Sequence, residues 1–309
     1  MKSCFTSFIP DGAIVQEFPP EQSLLLGLAF RKGILVKQST PYAVDLLLSA
    51  AAKTSEASLK AAEQLAYFYE FDSGFRDSFS NLMGSPSREA LKWRIRCLDL
   101  SKDVFGQNSR HAAIAYNNLG LLYDKLGEYD KAMDAYKNDL DICLSVLGKE
   151  HTETATTYDN ISQLFIRMND YDRAIEMGEI SLGIKLRVLD ADDQEVARSY
   201  NNTANAYLMK GEYGKALEYQ KKAIDIRERV LGMDDADIAV MYYNIGTVYA
   251  YMEDYKTATH YCRRALTLMV KYFGSEHIKT RTARETLGSI STNIARTDEG
   301  YLNEIIIKK

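Results

Sequence analysis

The sequence predicts an all-α chain built as a solenoid of stacked helical hairpins, and three observations lead there. First, one position near the end of each hairpin recurs as Gly106, Gly148, Asp190, Gly232 and Gly274, with 42 residues between neighbours. Second, other columns keep the same step: Tyr116, Tyr158, Tyr200 and Tyr242; Asn118, Asn160, Asn202 and Asn244; Tyr129, Tyr171, Tyr213 and Tyr255; Ala132, Ala174, Ala216 and Ala258. Third, apolar residues inside each copy return every three or four positions, the period of a helix with one buried side. A unit this small cannot bury its apolar side alone, so the copies must stack into a shared core.

Residues 1–55 hold Pro10, Pro19, Pro20 and Pro41 around two short apolar stretches, which predicts a loose tail and one or two short helices docked on the first copy. Residues 56–106 read as that first copy, in degenerate form. Its second helix is marked by Ala90, Trp93 and the run 98–106, and its first is drawn from about 56–82, with Gly74, Gly84 and Pro86 interrupting. Four regular copies occupy 107–148, 149–190, 191–232 and 233–274. In the first of these, residues 112–126 set Ile114, Leu119, Leu122, Tyr123 and Leu126 at helical spacing, and residues 130–147 do the same with Ala132, Met133, Tyr136, Leu140, Cys143 and Leu147.

Between the two helices stand Gly127-Glu128-Tyr129, Asn169-Asp170-Tyr171, Gly211-Glu212-Tyr213 and Glu253-Asp254-Tyr255. Gly or Asn suits a left-handed residue that ends a helix, so Glu253 is the exception. A turn this short makes the flanking helices antiparallel neighbours. After each second helix come acidic or polar residues, among them Glu150-His151 and Glu276-His277, which complement the positive N-terminus of the next helix. Proline is missing from 87–309, leaving glycine and capping to end these helices. Residues 275–296 keep Leu287-Gly288 in phase with Ile245-Gly246 but have no second helix, so they predict a lone closing helix before a tail at 297–309.

The composition narrows the function classes. At 309 residues, 46% hydrophobic and 26% charged, the chain can build an extensive core. Its net charge of -5 argues against nucleic-acid binding, which rests on neutralising many phosphates. Cys4, Cys97, Cys143 and Cys262 share no CxxC pairing and no repeat slot, so they read as free thiols, three of them half-buried in helices, and signal no metal and no disulfide framework. The apolar stretch 24–36 contains Arg31 and Lys32 and falls short of the roughly 20 residues a membrane span needs. With Ser3, Cys4, Thr6 and Ser7 where a leader would be apolar, a cytoplasmic protein is expected. His151 and His277 share one inter-repeat slot and His111 stands near a helix start, so capping is expected of them rather than catalysis. No GxSxG, GxxxxGK[ST], HExxH or GxGxxG occurs, and no cofactor is expected.

The pattern Tyr116-x-x-Leu119-Gly120-x-x-Tyr123, then Gly127-x-Tyr129-x-x-Ala132 and Tyr136, resembles the tetratricopeptide repeat. The 42-residue length and the linker Val146-Leu147-Gly148-x-Glu150-His151 resemble the longer repeats of kinesin light chains and nephrocystin-type proteins. The resemblance covers 87–296. It departs at Thr152 and Ile278, where proline often succeeds the histidine, and no sustained heptad segment precedes the repeats, so a motor subunit is not expected.

The resemblance implies a right-handed α-solenoid of such hairpins whose first helices line a concave groove. It places Asn118, Asn160, Asn202 and Asn244 there as a ladder, flanked by Asn117, Asp159, Asn201 and Tyr243. One turn on stand Leu121, Gln163, Asn205 and Thr247, then Lys125, Arg167, Met209 and Tyr251. Carboxamides both donate and accept, so a row of them can pair with the backbone of an extended peptide. The candidate groove residues are Asn117, Asn118, Asn160, Gln163, Arg167, Arg198, Asn201, Asn202, Asn205, Tyr243 and Asn244. Asp124 and Asp159 would blunt the field of Lys125, Arg167 and Arg198, so a strictly acidic ligand is not expected. Lys221-Lys222 and Arg263-Arg264 read as a solvated face. The expected function is a non-catalytic adaptor for a peptide or partner-protein segment. The alternatives are a self-assembling scaffold, in which the ladder only stiffens the array and the convex face or the array ends self-associate, and an enzyme with its site in 1–86. Oligomeric state is left open.

Overall fold

The structure is a computed structural model, and the residues it describes are 19–21, 23–24, 27–28, 40–71, 86–231 and 236–307. Cys4 and Gly232 lie outside the described residues. Twelve helices are described: α1 Thr40–Ala51, α2 Glu56–Phe71, α3 Pro86–Phe105, α4 Arg110–Lys125, α5 Tyr129–Val146, α6 Thr152–Arg167, α7 Tyr171–Val188, α8 Gln194–Lys210, α9 Tyr213–Leu231, α10 Ala236–Tyr251, α11 Tyr255–Phe273 and α12 Ile278–Ile307. The all-α class and the consecutive pairing of helices into hairpins agree with the sequence pattern. The chain forms two compact units, Met1–Gly148 and Lys149–Lys309.

In the first unit α1, α2 and α3 share a core around Leu47, Leu65 and Leu100, each wholly buried, and Leu122 of α4 joins it. Arg94 of α3 reaches Glu70 of α2 with both arms of its guanidinium, at 2.6 and 2.9 Å. This two-pronged geometry orients as well as attracts. The second unit holds the hairpins α6/α7, α8/α9 and α10/α11, and α12 packs on α11 through Ala283 and Ile290.

The alanine column explains how closely the helices approach. Ala132, Ala174, Ala216 and Ala258 all have no exposure at all, since each sits where the second helix of a hairpin meets the first. The cysteines prove more deeply placed than the sequence suggests. Cys97, Cys143 and Cys262 are fully buried free thiols.

The four inter-helix turns are built alike. The turn residue is left-handed in every copy, with φ 76° at Gly127, 60° at Asn169, 87° at Gly211 and 62° at Glu253. In each the next amide bonds back five residues, Glu128 to Tyr123, Asp170 to Phe165, Glu212 to Tyr207 and Asp254 to Tyr249, at 2.9–3.0 Å. That closing bond satisfies a carbonyl the helix would otherwise leave orphaned. Glu253 therefore accepts a conformation that its Cβ disfavours by about 1–2 kcal/mol. Replacing it with glycine raises the stability of the chain by about 1 kcal/mol, read as an upward shift of the thermal midpoint. A lower midpoint would mean that the Glu253 side chain makes a stabilising interaction of its own.

The histidine slot behaves as capping chemistry requires. His151 Nδ1 accepts the Glu153 amide at 3.1 Å and His277 Nδ1 accepts that of Lys279 at 3.2 Å. His111 differs: Ser109 Oγ caps α4, and the imidazole stacks on Phe105 with ring centres 3.7 Å apart. The last helix also differs from its expected span. α12 runs to Ile307, through the residues assigned to a tail. Between 297 and 307 no proline interrupts the amide ladder, and the lone Gly300 costs only about 1 kcal/mol in a helix.

Candidate interaction face

In the second unit the first helices α6, α8 and α10 are tied side by side by polar bonds. Ser199 Oγ donates to Asp159 Oδ2 at 2.7 Å, joining α8 to α6. Asn244 Nδ2 donates to Asn201 Oδ1 at 3.1 Å, joining α10 to α8. Tyr243 then bonds Thr286 of α12, hydroxyl to hydroxyl, at 3.1 Å. The column 117, 159, 201, 243 thus faces neighbouring helices. In the first unit its member Asn117 donates to Asp139 Oδ2 of its own hairpin at 2.8 Å.

One residue beyond each tie stand Asn160, Asn202 and Asn244, all half-buried. They occupy matching positions on three adjacent helices, and Asn244 spends one of its amide hydrogens on Asn201. A turn further on Gln163, Asn205 and Thr247 are also half-buried, and beyond them Arg167, Met209 and Tyr251 are exposed. Gln163 holds its Nε2 buried with no hydrogen-bond partner among the described residues. Arg198 is paired with Glu195, so its charge is already engaged within the chain. In the first unit Asn118 borders a narrow notch with Glu63, Arg94, Cys97 and His111. Burial pushes the Cys97 thiol up to about 12, which keeps it protonated at neutral pH. Lys125 lies over the ring of Phe71 at 5.3 Å.

The most consequential polar contact has no counterpart among the sequence expectations. Lys185 of α7 is completely buried, and its ammonium sits 2.8 Å from Asp159, itself 4% exposed, and 3.2 Å from Glu195. Lys185 falls on the buried stripe of α7, in the slot that holds Cys143 and Met269 in other copies. A lysine in register with buried neighbours was the available signal. A second cluster joins the hydroxyls of Tyr207 and Tyr219, which both donate to Glu179 Oε1, at 2.9 and 2.7 Å. Burial, then this carboxylate, pushes Tyr207 up to about 12.

Models of the tetratricopeptide repeat match residues 87–138, 196–237 and 237–296. Among solved structures, the chain is similar to kinesin light chain-type, nearly identical TPR-like repeats of Podosopora anserina, at 14% identity over 69% of this chain and 96% of that one, with a TM-score of 0.56. It is likewise similar to BtubC (BKLC) of P. vanneervenii, at 22% identity over 82% of this chain and 90% of that one, with a TM-score of 0.51. At these identities the likeness is one of fold. No curated protein matches. Among the described residues no helix is long and apolar enough to cross a membrane. Left-handed turns at a 42-residue step, wholly buried alanines at the same step and repeat models matching both units converge: the chain is a tetratricopeptide-repeat protein, with repeats resembling those of kinesin light chains.

Proposed function

We propose that the protein is a non-catalytic, cytoplasmic adaptor that holds a peptide or partner-protein segment against the first helices of its repeats, with no cofactor or metal. Repeats of this kind serve in general as protein-interaction scaffolds. The observation that carries the finer reading is the row Asn160, Asn202 and Asn244, half-buried and kept in register by the ties between α6, α8 and α10. Carboxamides at a fixed spacing match the alternating N–H and C=O groups of an extended chain. Gln163 and Asn205 extend the row, and Arg167 stands at its edge. Asn118 plays the same part in the first unit.

The test uses peptides selected from a phage-displayed random library on the full chain, titrated calorimetrically against the wild type and Asn160→Ala/Asn202→Ala. Losing two amide contacts of about 1 kcal/mol each weakens binding roughly tenfold or more, at unchanged far-ultraviolet dichroism. Unchanged affinity removes the ladder from the binding surface. The Asn244–Asn201 bond favours a second role for this column, stiffening a scaffold. If that role dominates, the double variant alters sedimentation mass and leaves peptide capture intact.

A further inference from the structure

The outward side of the last hairpin carries a charge pattern that the groove reading leaves unused. In α11 the buried row is Ala258, Cys262, Ala265 and Met269. Lys256, His260, Arg263 and Thr267 are all exposed and precede that row by two residues, about 200° around the helix, so they face away from the core. Lys256, His260 and Arg263 line a shallow open depression with Thr259. Neither Lys256 nor Arg263 makes an ion pair among the described residues, and α11 contains no Asp or Glu at all.

The repeat supplies its own controls, because the same four slots exist on every second helix. They hold Asp130, Asp134, Lys137 and Asp141 on α5, Asp172, Glu176, Glu179 and Gly183 on α7, and Gly214, Glu218, Lys221 and Asp225 on α9. With histidine neutral, the formal charge of the four slots runs -2, -3, -1 and +2 from α5 to α11. A solvated face needs mixed charge and nothing more. Excluding every acid from one helix of an acidic chain leaves Arg263 with no acid on its own helix and Lys256 with only the capping Asp254 beside it, an arrangement that favours an anion from outside.

From this geometry we infer that the outward face of α11 binds a short acidic protein segment through Lys256, His260 and Arg263, at a site distinct from the asparagine row. The patch is short. Lys256 to Arg263 spans seven residues, about 10 Å along the axis. Duplex nucleic acid, with a charge every ~1.7 Å, and a planar anionic membrane would both extend past it and meet acids in the same slots of other hairpins, such as Glu218 and Asp225. A compact run of carboxylates fits without that repulsion.

The probe is fluorescein-labelled octaglutamate, followed by fluorescence anisotropy on the full chain at low ionic strength. Lys256→Glu/Arg263→Glu raises Kd about tenfold or more, and Lys256→Gln/Arg263→Gln gives a smaller rise in the same direction. Asn160→Ala/Asn202→Ala leaves Kd unchanged, which separates this site from the groove. Wild-type affinity falls as salt shortens the reach of the charges. The inference is overturned if the charge-reversed variant binds octaglutamate as tightly as the wild type, or if the asparagine variant loses it equally. It is also overturned if duplex DNA or vesicles containing phosphatidylserine bind more tightly and lose that binding in the charge-reversed variant.

Discussion

Asp159→Ala lowers the unfolding free energy of the chain by about 3 kcal/mol, one of the two largest losses expected of any single side chain in the two units. The lysine it leaves behind has nowhere to go. Lys185 is wholly buried, 2.8 Å from Asp159, and its second partner, Glu195, is 43% exposed and shares its Oε2 with Arg198. Removing a partner from a buried pair leaves an uncompensated charge, a loss in the range of about 3–5 kcal/mol. The lower end applies because Glu195 remains. Ser199 Oγ, which donates to the same carboxylate oxygen at 2.7 Å, loses its acceptor as well.

The pair itself contributes far less than its rupture costs. Withdrawing an ammonium and a carboxylate from water costs several kcal/mol per ion, and their attraction only roughly repays it. The double replacement Asp159→Leu/Lys185→Met therefore restores the urea midpoint to near the wild-type value, because Met already fills the same slot as Met269. Urea unfolding followed at 222 nm reads both effects. A double variant no better than Asp159→Ala would show that the pair contributes net stability.

Legible in the sequence was whatever every copy must do in the same way. The alanine column is buried without exception because one methyl is all that fits at each helix crossing. The turn slot is left-handed in all four copies because only that conformation closes the hairpin in so few residues, and it overrules the chemistry of Glu253. Slots whose occupants differ escaped. Cys143, Lys185, Arg227 and Met269 share a column, and the buried lysine among them is explained by Asp159 and Glu195 on other helices. The asparagine column showed where the first helices align. It could not show that Asn244 bonds Asn201 on the adjoining helix, since a single column carries no record of the next one. The extent of α12 escaped for a simpler reason, the lack of any stop signal that Gly300 alone could supply.

The same dependence between columns governs the second large effect, Tyr136→Ala, which costs about 3–5 kcal/mol. Tyr136 is the bulkiest of the wholly buried side chains, and its ring lies against Gly120 of the partner helix. A Cβ at Gly120 would stand 2.6 Å from Cε1 and 2.7 Å from Cδ1, closer than carbon atoms approach. The glycine is thus the space that the tyrosine occupies, and truncating the ring leaves a cavity with no side chain opposite to collapse into it. Other copies solve the crossing with different sizes: Ser162 faces Gly178, and Gly246 faces Cys262, where a Cβ would come 2.5 Å from the sulfur. If size is shared between the two columns, Gly120→Leu destabilises the wild type by overpacking yet restores much of what Tyr136→Ala loses. The coupling in that double-mutant cycle is about 2–3 kcal/mol and favourable, read from urea midpoints of the four proteins. Additive losses would instead mean that Tyr136 is held by its other neighbours and that the glycine column reflects backbone contact alone.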